Sequence, residues 1–186
     1  MKKIIIMLIS ILLVGCTTSN DIARFKEEYE ALNDENIKVI VDEEVVVNYV
    51  DEKETYDFLT NGTGIIYFGL ANSHECRNVV PSLFEVAKEN NLVVNYYDTN
   101  RFSSKGDEEI ETETFSKIIE LLYYHLKEDT EGNKVLFVPD VYYVKDGEII
   151  DHHLGTIDKK EDSTVALNEE EKKKLFDIYH QLINKD

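Results

Sequence analysis

The sequence predicts an α/β domain with a mixed central sheet, in which a β-α-β unit is followed by a β-hairpin and a C-terminal helix. Two apolar runs, at 65–68 and 92–97, enclose a segment whose apolar residues have helical spacing. Because a helix joins them, the two strands are expected to be parallel. Asp146-Gly147 is a typical two-residue hairpin turn, so the strands on either side of it are expected to be antiparallel.

The remaining elements follow from local patterns in the chain. Asn168, with Glu171 three residues later, has the spacing of a capping box and predicts the start of the last helix. The polar and acidic segment 100–113 predicts a loop. Further helices are predicted at 20–32, 51–59 and 114–127, and further strands at 45–47, 135–144 and 148–154.

The N-terminus has the features of a secretory signal. Lys2 and Lys3 precede an apolar run at 4–14 in which only Ser10 is polar. At a rise of about 1.5 Å per residue, this run is too short to cross a hydrocarbon core of about 30 Å. We therefore predict an export signal and no spanning helix.

The sequence Leu13-Val14-Gly15-Cys16 resembles the lipobox of bacterial lipoproteins. This resemblance implies that residues 1–15 are removed and that the Cys16 thiol carries lipid with acyl chains such as palmitate. The mature chain would then be anchored to the bacterial cell membrane and face away from the cytoplasm. The alternative is an ordinary signal peptide in which Cys16 is incidental.

Charge and cysteine content exclude several classes of function. Without residues 1–15 the chain keeps 18 basic and 38 acidic residues, a net charge of −20. Such a body is repelled by nucleic acid and by anionic lipid headgroups, so we predict no nucleic-acid partner and a membrane attachment that depends on the lipid. With Cys16 lipidated, Cys76 is the one thiol left, which excludes an internal disulfide and a cysteine-based zinc site.

The segment Ser73-His74-Glu75-Cys76 begins the helix of the β-α-β unit. The chain has two prolines: Pro81 lies within that helix, and Pro139 lies just before the hairpin. The whole pattern resembles the thioredoxin-like superfamily, which implies a three-layer sandwich. Pro81, five residues past Cys76, matches the proline of the family's active-site helix. Val138-Pro139 matches its cis-proline, which faces the active-site cysteines.

Several short sequence motifs resemble those of the bacteriocin transport accessory branch of that superfamily, whose members are often lipoproteins of low-GC Gram-positive bacteria. The motifs are Tyr67-Phe68-Gly69, Cys76-Arg77, Pro81 and Ala87-Lys88. The expected organisation is a signal peptide at 1–15, a lipidated cysteine, tether and N-terminal helix at 16–40, and a thioredoxin-like domain at 41–186.

The chain departs from the family at Ser73, where the Cys-x-x-Cys motif has its nucleophilic first cysteine. A serine hydroxyl is not ionised near neutral pH and cannot propagate thiol–disulfide exchange. The motif is therefore degenerate, and we predict that dithiol oxidoreductase activity is absent.

Each motif residue has a structural and a chemical interpretation. Ser73 fits a helix N-cap, in competition with an Asn72/Glu75 capping box, and could otherwise be a hydrolytic nucleophile. Cys76 could be a buried thiol that packs as a small apolar group, or a reactive single thiol near a helix N-terminus. Peroxiredoxins also carry Thr or Ser three residues before their cysteine, although Gly69 stands where their motif has proline.

No metal or other cofactor is predicted. His152 and His153 are adjacent in a predicted strand, so their side chains point to opposite faces and cannot bind one metal together. His125 and His180 lie in predicted helices without ligand spacing.

Two functions remain open. In the first, a groove formed by Ser73, His74, Glu75, Val138 and Pro139 binds an extracytoplasmic peptide or protein without exchanging disulfides. The resemblance assigns the residue before the cis-proline, Val138, to pairing with the backbone of the bound segment. In the second, Cys76 is the catalytic group of a monothiol redox protein, of thiol–disulfide or peroxidase type.

Overall fold

The computed structural model describes residues 18–102, 113–157 and 162–185. The predicted signal peptide, the proposed lipidation residue Cys16 and the acidic run at 107–111 lie outside these ranges. Within them, no helix combines the length and the apolar character needed to span a membrane.

The described residues form five α-helices, seven strands and one 3-10 turn at Thr99–Phe102. The helices are α1 (Thr18–Glu30), α2 (Glu52–Asn61), α3 (His74–Glu89), α4 (Glu113–Leu122) and α5 (Glu169–Ile183). The strands are β1 (Val46–Tyr49), β2 (Gly64–Gly69), β3 (Val93–Asp98), β4 (Lys127–Glu128), β5 (Lys134–Val135), β6 (Asp140–Lys145) and β7 (Glu148–Leu154).

The main sheet has five strands in the order β1-β3-β2-β6-β7. Strands β1 and β2 both run parallel to β3, whereas β6 is antiparallel to β2 and β7 is antiparallel to β6. This is the predicted mixed sheet, with a β-α-β unit at its centre and a hairpin at one edge. The predicted fold class is therefore confirmed.

Helices cover both faces of the sheet, which gives three layers. On one face α1, α3 and α5 bury Phe25, Leu83 and Leu175 against the sheet. On the other face α2 and α4 bury Leu59 and Ile118. Strand β2 is buried along its whole length, as expected for a strand covered on both sides.

Two helices begin with complete capping boxes. Asp51 caps α2 together with Glu54, and Asn168 caps α5 together with Glu171, as the sequence predicted for the last helix. In each box the side chain of the cap accepts from the amide three residues later, and the side chain of that later residue accepts from the amide of the cap. These two hydrogen bonds fix where the helix starts.

The helix predicted at 114–127, which corresponds to α4, is shorter than predicted at its C-terminal end. It ends at Leu122, and a turn follows in which the amides of His125 and Leu126 both donate to the Leu122 carbonyl. Lys127 then pairs with Val135 in the short β4–β5 ribbon. The ribbon was missed because its two strands have only two residues each.

Candidate functional site

The predicted motif and the predicted cis-proline lie at the same edge of the sheet. Phe68, near the end of β2, pairs with Asp140 at the start of β6. The residues that follow β2 therefore lie beside those that precede β6. The Val138-Pro139 bond is cis, as the resemblance implied.

Ser73 is the N-cap of α3, and its Oγ accepts a hydrogen bond from the Cys76 amide at 3.3 Å. Its own amide donates to the Leu70 carbonyl at 3.0 Å, which closes the turn between β2 and α3. The expectation of an N-cap is confirmed, and the hydroxyl oxygen of Ser73 supports the helix start.

Cys76 is completely buried in the first turn of α3. The amide of Leu70 donates to its Sγ at 3.3 Å. Burial raises the pKa of the Cys76 thiol above its ordinary value, although the contacts with Ser73, Leu70 and Tyr67 act in the opposite direction. The thiol is therefore protonated near neutral pH and has no contact with solvent.

A cluster of buried tyrosine hydroxyls lies behind Cys76. Tyr67 donates to the Cys76 carbonyl at 3.3 Å, and its hydroxyl lies 3.2 Å from that of Tyr29. Tyr29 also donates to the Tyr96 hydroxyl at 3.4 Å. Nothing local in the sequence indicated this network, because its members come from α1, β2 and β3.

The surface around Cys76 is polar. His74 and Glu75 are exposed, Val138 is half-buried and Pro139 is buried. Within the described ranges, neither the N–H nor the C=O of Val138 forms a hydrogen bond. Both backbone groups of Val138 are therefore unpaired within these ranges.

A shallow depression of about 280 Å³ adjoins this edge next to Asn72. Leu32 and Ala71 supply part of its apolar wall, and Glu28 and Asp98 add two carboxylates. Helix α1 forms one side of it, so the N-terminal helix extends the surface around the motif.

The histidines of β7 point to opposite faces, as the sequence predicted. His152 lies against Tyr142, with its Nδ1 2.9 Å from the Asp140 carboxylate, whereas His153 packs against Tyr179 on the α5 face. The sequence did not indicate that His125 lies beside His152, with 5.1 Å between the ring centroids. Within the described residues, no group of three or more His, Cys, Asp or Glu side chains is arranged to hold a metal ion.

No protein-family model matches the sequence, and no curated protein matches it either. Solved structures of thioredoxins are similar to it. Thioredoxin from Aeropyrum pernix has 16% identity and a TM-score of 0.41, over 68% of this chain and 88% of that chain. Thioredoxin O1 from Arabidopsis thaliana in the oxidized state has 18% identity and a TM-score of 0.40, over 75% and 97%.

Thioredoxin O2 from the same plant, also oxidized, has 18% identity and a TM-score of 0.39, over 74% of this chain and 92% of that chain. The fold assignment depends on the chain's own topology. The strand order β1-β3-β2-β6-β7, helices on both faces and a cis bond before β6 together define it. The chain has a thioredoxin-like fold.

Proposed function

We propose that this chain is a lipid-anchored extracytoplasmic lipoprotein that binds a peptide or protein segment as an accessory factor, and that it is not a dithiol oxidoreductase. The bacteriocin transport accessory proteins that it resembles offer the nearest precedent for such a role. The observation that carries the proposal is the edge of the sheet where Ser73 caps α3, Cys76 is buried, and the Val138 backbone has no partner in the described residues.

Chemistry argues against disulfide exchange. Exchange needs an exposed thiolate that attacks one sulfur of a disulfide and expels the other. Ser73 offers a hydroxyl that is not ionised near neutral pH, and Cys76 offers a buried thiol with a raised pKa. Neither group meets the requirement.

Binding without exchange fits the same geometry. An extended segment that lies across this edge can form backbone hydrogen bonds with Val138, as a strand does when it adds to a sheet. Exposed His74 and Glu75 would contact its side chains. The negative charge of the chain favours segments with basic residues.

The groove is tested with a display library of ten-residue peptides and the full chain in detergent. Selected peptides should bind, and Val138→Glu should weaken their binding tenfold or more, because a carboxylate disrupts the half-buried contact. Cys76→Ser should leave binding unchanged. Val165→Glu is the matched control, since Val165 is an exposed valine in a different part of the chain. The proposal is wrong if no peptide binds, or if the chain reduces insulin disulfides with turnover.

The lipid anchor is tested separately. Mass spectrometry of the mature protein from a membrane fraction should find diacylglycerol and acyl mass on Cys16. Cys16→Ser should move the protein into the soluble fraction. An unmodified Cys16 in the membrane fraction would contradict the anchor but would not affect the groove.

Monothiol redox chemistry at Cys76 is the alternative. The Leu70 amide on Sγ and the position in the first turn of α3 both favour a thiolate. Complete burial opposes it, and it is the largest influence on the thiol pKa. The balance of these contacts favours binding over redox chemistry.

A further inference from the structure

We propose that the segment 36–42, which joins α1 to β1, is a second binding site, at which an extended basic segment of a partner protein adds as a β-strand. This inference goes beyond the proposed function, because the site lies beside α1 and α3 and uses neither Ser73 nor Val138. The segment belongs to none of the strands of the sheet.

The segment alternates in burial as an extended strand does. Ile37, Val39 and Val41 are at most 4% exposed, whereas Lys38 is exposed and Ile40 is 81% exposed. Successive side chains of an extended chain point to opposite sides, so the first three face the core and the other two face solvent. One strand-like stretch therefore lies at the surface of the domain.

Side chains of the chain itself pair the backbone along one edge of this stretch. Asn33 does so at Val39 as a neighbouring strand would, because its Oδ1 accepts from the Val39 amide at 2.7 Å and its Nδ2 donates to the Val39 carbonyl at 2.8 Å. Glu30 accepts from the Val41 amide at 2.9 Å. These hydrogen bonds hold the segment in its extended form.

The backbone along the opposite edge is unpaired. Alternate residues of a strand direct their backbone groups to opposite edges, so those of Lys38 and Ile40 point away from the side chains that pair Val39. Within the described ranges, neither the N–H nor the C=O of Lys38 or Ile40 forms a hydrogen bond. At the start of this edge the Asn36 carbonyl accepts from the Ala166 amide at 3.2 Å. A further extended segment can continue that pairing, since unpaired strand edges bind added strands.

A cleft of about 560 Å³ lies between this segment and α3. Its apolar walls are Ile40 from the segment and Pro81 and Phe84 from α3. An added strand directs every second side chain toward the cleft, and an apolar side chain there removes the exposed surface of Ile40 from water. The cleft therefore favours a partner segment with apolar residues at alternate positions.

The rim of the cleft is acidic. Glu85 and Glu89 are exposed, lie four residues apart on α3 and form no ion pair among the described residues. Like charges at this spacing repel each other, so a partner cation near them relieves the repulsion. Lys88 does not neutralise them, because it pairs with Asp42 and Glu44 at 2.6 Å each. A lysine or arginine in the added segment therefore fits this rim.

The charge also favours a basic partner over a second copy of this chain. Pairing of two copies along this edge would bring their acidic rims together. Each chain without residues 1–15 has 38 acidic against 18 basic residues, so two copies repel each other. The partner that fits is therefore an extended protein segment with alternating apolar and basic side chains.

The test is calorimetric titration of two ten-residue probe peptides into the full chain in detergent. One probe alternates lysine and valine, and the other alternates glutamate and valine. Only the lysine probe should bind, and its affinity should fall as salt is added. Ile40→Ser should weaken binding tenfold or more, because it removes an apolar wall of the cleft. Glu85→Gln combined with Glu89→Gln should do the same, because it removes the charge of the rim.

The matched controls lie in a different part of the chain. Tyr124→Ser removes another highly exposed apolar side chain, and Glu120→Gln combined with Glu131→Gln removes the same charge as the rim variant. Both should bind the lysine probe as the parent does. Val138→Glu should also leave binding unchanged, because the edge is separate from the groove of the proposed function.

A second measurement tests backbone pairing without substitutions in the chain, in case a variant fails to fold. N-methylation of the probe's valines and N-methylation of its lysines remove the donors of opposite edges, so only one of the two should abolish binding. In NMR spectra the unmethylated probe should shift the amide resonances of Lys38 and Ile40.

Several results would overturn the proposal. It is wrong if the lysine probe does not bind, if both methylated probes bind or neither does, or if the amides of Lys38 and Ile40 do not shift. It is also wrong if the rim variant binds as the parent does, or if Val138→Glu abolishes binding. Sedimentation of the Cys16→Ser chain should show a monomer, and a dimer that Ile40→Ser disperses would show that the edge holds a second copy instead.

Discussion

Arg77, the residue after Cys76, is a buried cation that connects α3 to the N-terminal part of the chain. Its Nη1 donates to the Tyr29 carbonyl at 2.8 Å, and its Nη2 donates to Asn33 Oδ1 at 3.0 Å and to the Ile37 carbonyl at 3.1 Å. Only 2% of the residue is exposed. The guanidinium thus supplies a donor to the Tyr29 carbonyl in the last turn of α1, and it adds a second donor to the Ile37 carbonyl, which also accepts from the Asp34 amide.

Replacing this cation should be costly. Arg77→Met keeps much of the volume but leaves the Tyr29 carbonyl without its donor and removes the charged donor from Asn33 Oδ1 and the Ile37 carbonyl, so we expect a loss of about 3 kcal/mol in the free energy of unfolding. Urea unfolding of the full chain, followed by circular dichroism, measures it. Lys53→Met on the exposed surface of α2 is the control and should change stability little. Equal effects of the two substitutions would contradict this account of Arg77.

The reactivity of Cys76 follows from its surroundings. Because the thiol is buried and its pKa is raised, iodoacetamide should label it at least 100-fold more slowly in the native chain than in 8 M urea, measured at pH 8. Cys16→Ser gives a chain with one thiol for this measurement. Labelling in the native state at the rate of the unfolded chain would instead support a monothiol redox protein.

At the scale of single elements, the β6–β7 hairpin depends on the turn at Asp146-Gly147. Both residues have positive φ, 51° and 78°, as a type I′ turn requires. The amide of Gly147 also donates to the Gly62 carbonyl at 2.9 Å. The turn therefore packs against the end of α2, and a Cβ on Gly147 would lie 2.0 Å from the Thr60 carbonyl oxygen.

Gly132 and Gly147 have similar positive φ values, so alanine substitutions at the two positions distinguish the cost of backbone strain from that of steric contact. Gly132 has φ 87° but open space around its Cβ position. Gly132→Ala should therefore cost only about 1 kcal/mol, the price of a left-handed backbone for alanine. Gly147→Ala should cost clearly more, because the turn must also move away from Thr60. Urea unfolding of both variants measures the difference, and equal losses would show that the contact with Thr60 does not matter.

The elements that local chemistry specifies could be predicted from the sequence. The turn at Asp146-Gly147 and the caps at Ser73 and Asn168 depend on neighbours within a few residues. The order of strands and helices followed from their apolar patterns. These features gave the fold class and one edge of the candidate site.

What the sequence left open depends on contacts between distant parts of the chain. Cys76 is buried in contact with Tyr67 of β2 and with the Leu70 amide beyond that strand, so position in the helix could not decide its burial. His125 lies beside His152 because α4 ends early and the chain turns back, which no local pattern indicated. The tyrosine network likewise joins α1 to strands far away in sequence.

For the whole molecule, the consequence of that network is a core rich in buried phenols. Tyr29, Tyr67, Tyr96 and Tyr179 are at most 1% exposed, and burial raises the pKa of each well above its ordinary value. Helix α1 contributes to this core, since Phe25 stacks on Tyr29 with 4.2 Å between the ring centroids. The N-terminal helix is therefore part of the same folded body as the sheet.

This core should make the fold sensitive to alkali. A tyrosine whose pKa is raised in the folded chain does not change stability while the pH stays below its unfolded pKa, about 10. As the pH rises further, the phenol ionises only in the unfolded chain, and the free energy of unfolding falls. The pKa values of Tyr49 and Tyr142 are raised by burial as well, so six such groups lower the free energy of unfolding by roughly 8 kcal/mol per pH unit above pH 10. For a domain of ordinary stability, cooperative unfolding is expected between about pH 11 and 12. Absorbance at 295 nm and circular dichroism should change together.

Tyr179→Phe isolates one of these phenols. The Tyr179 hydroxyl is buried and has no hydrogen-bond partner among the described residues, so its removal should preserve packing and leave stability at pH 7 unchanged or slightly higher. The variant has one fewer group to ionise on unfolding, so its stability should fall by about a sixth less per pH unit above pH 10 and its alkaline midpoint should rise. Ionisation of all buried tyrosines with native circular dichroism, or an unchanged midpoint in Tyr179→Phe, would show that the phenols do not control alkaline unfolding.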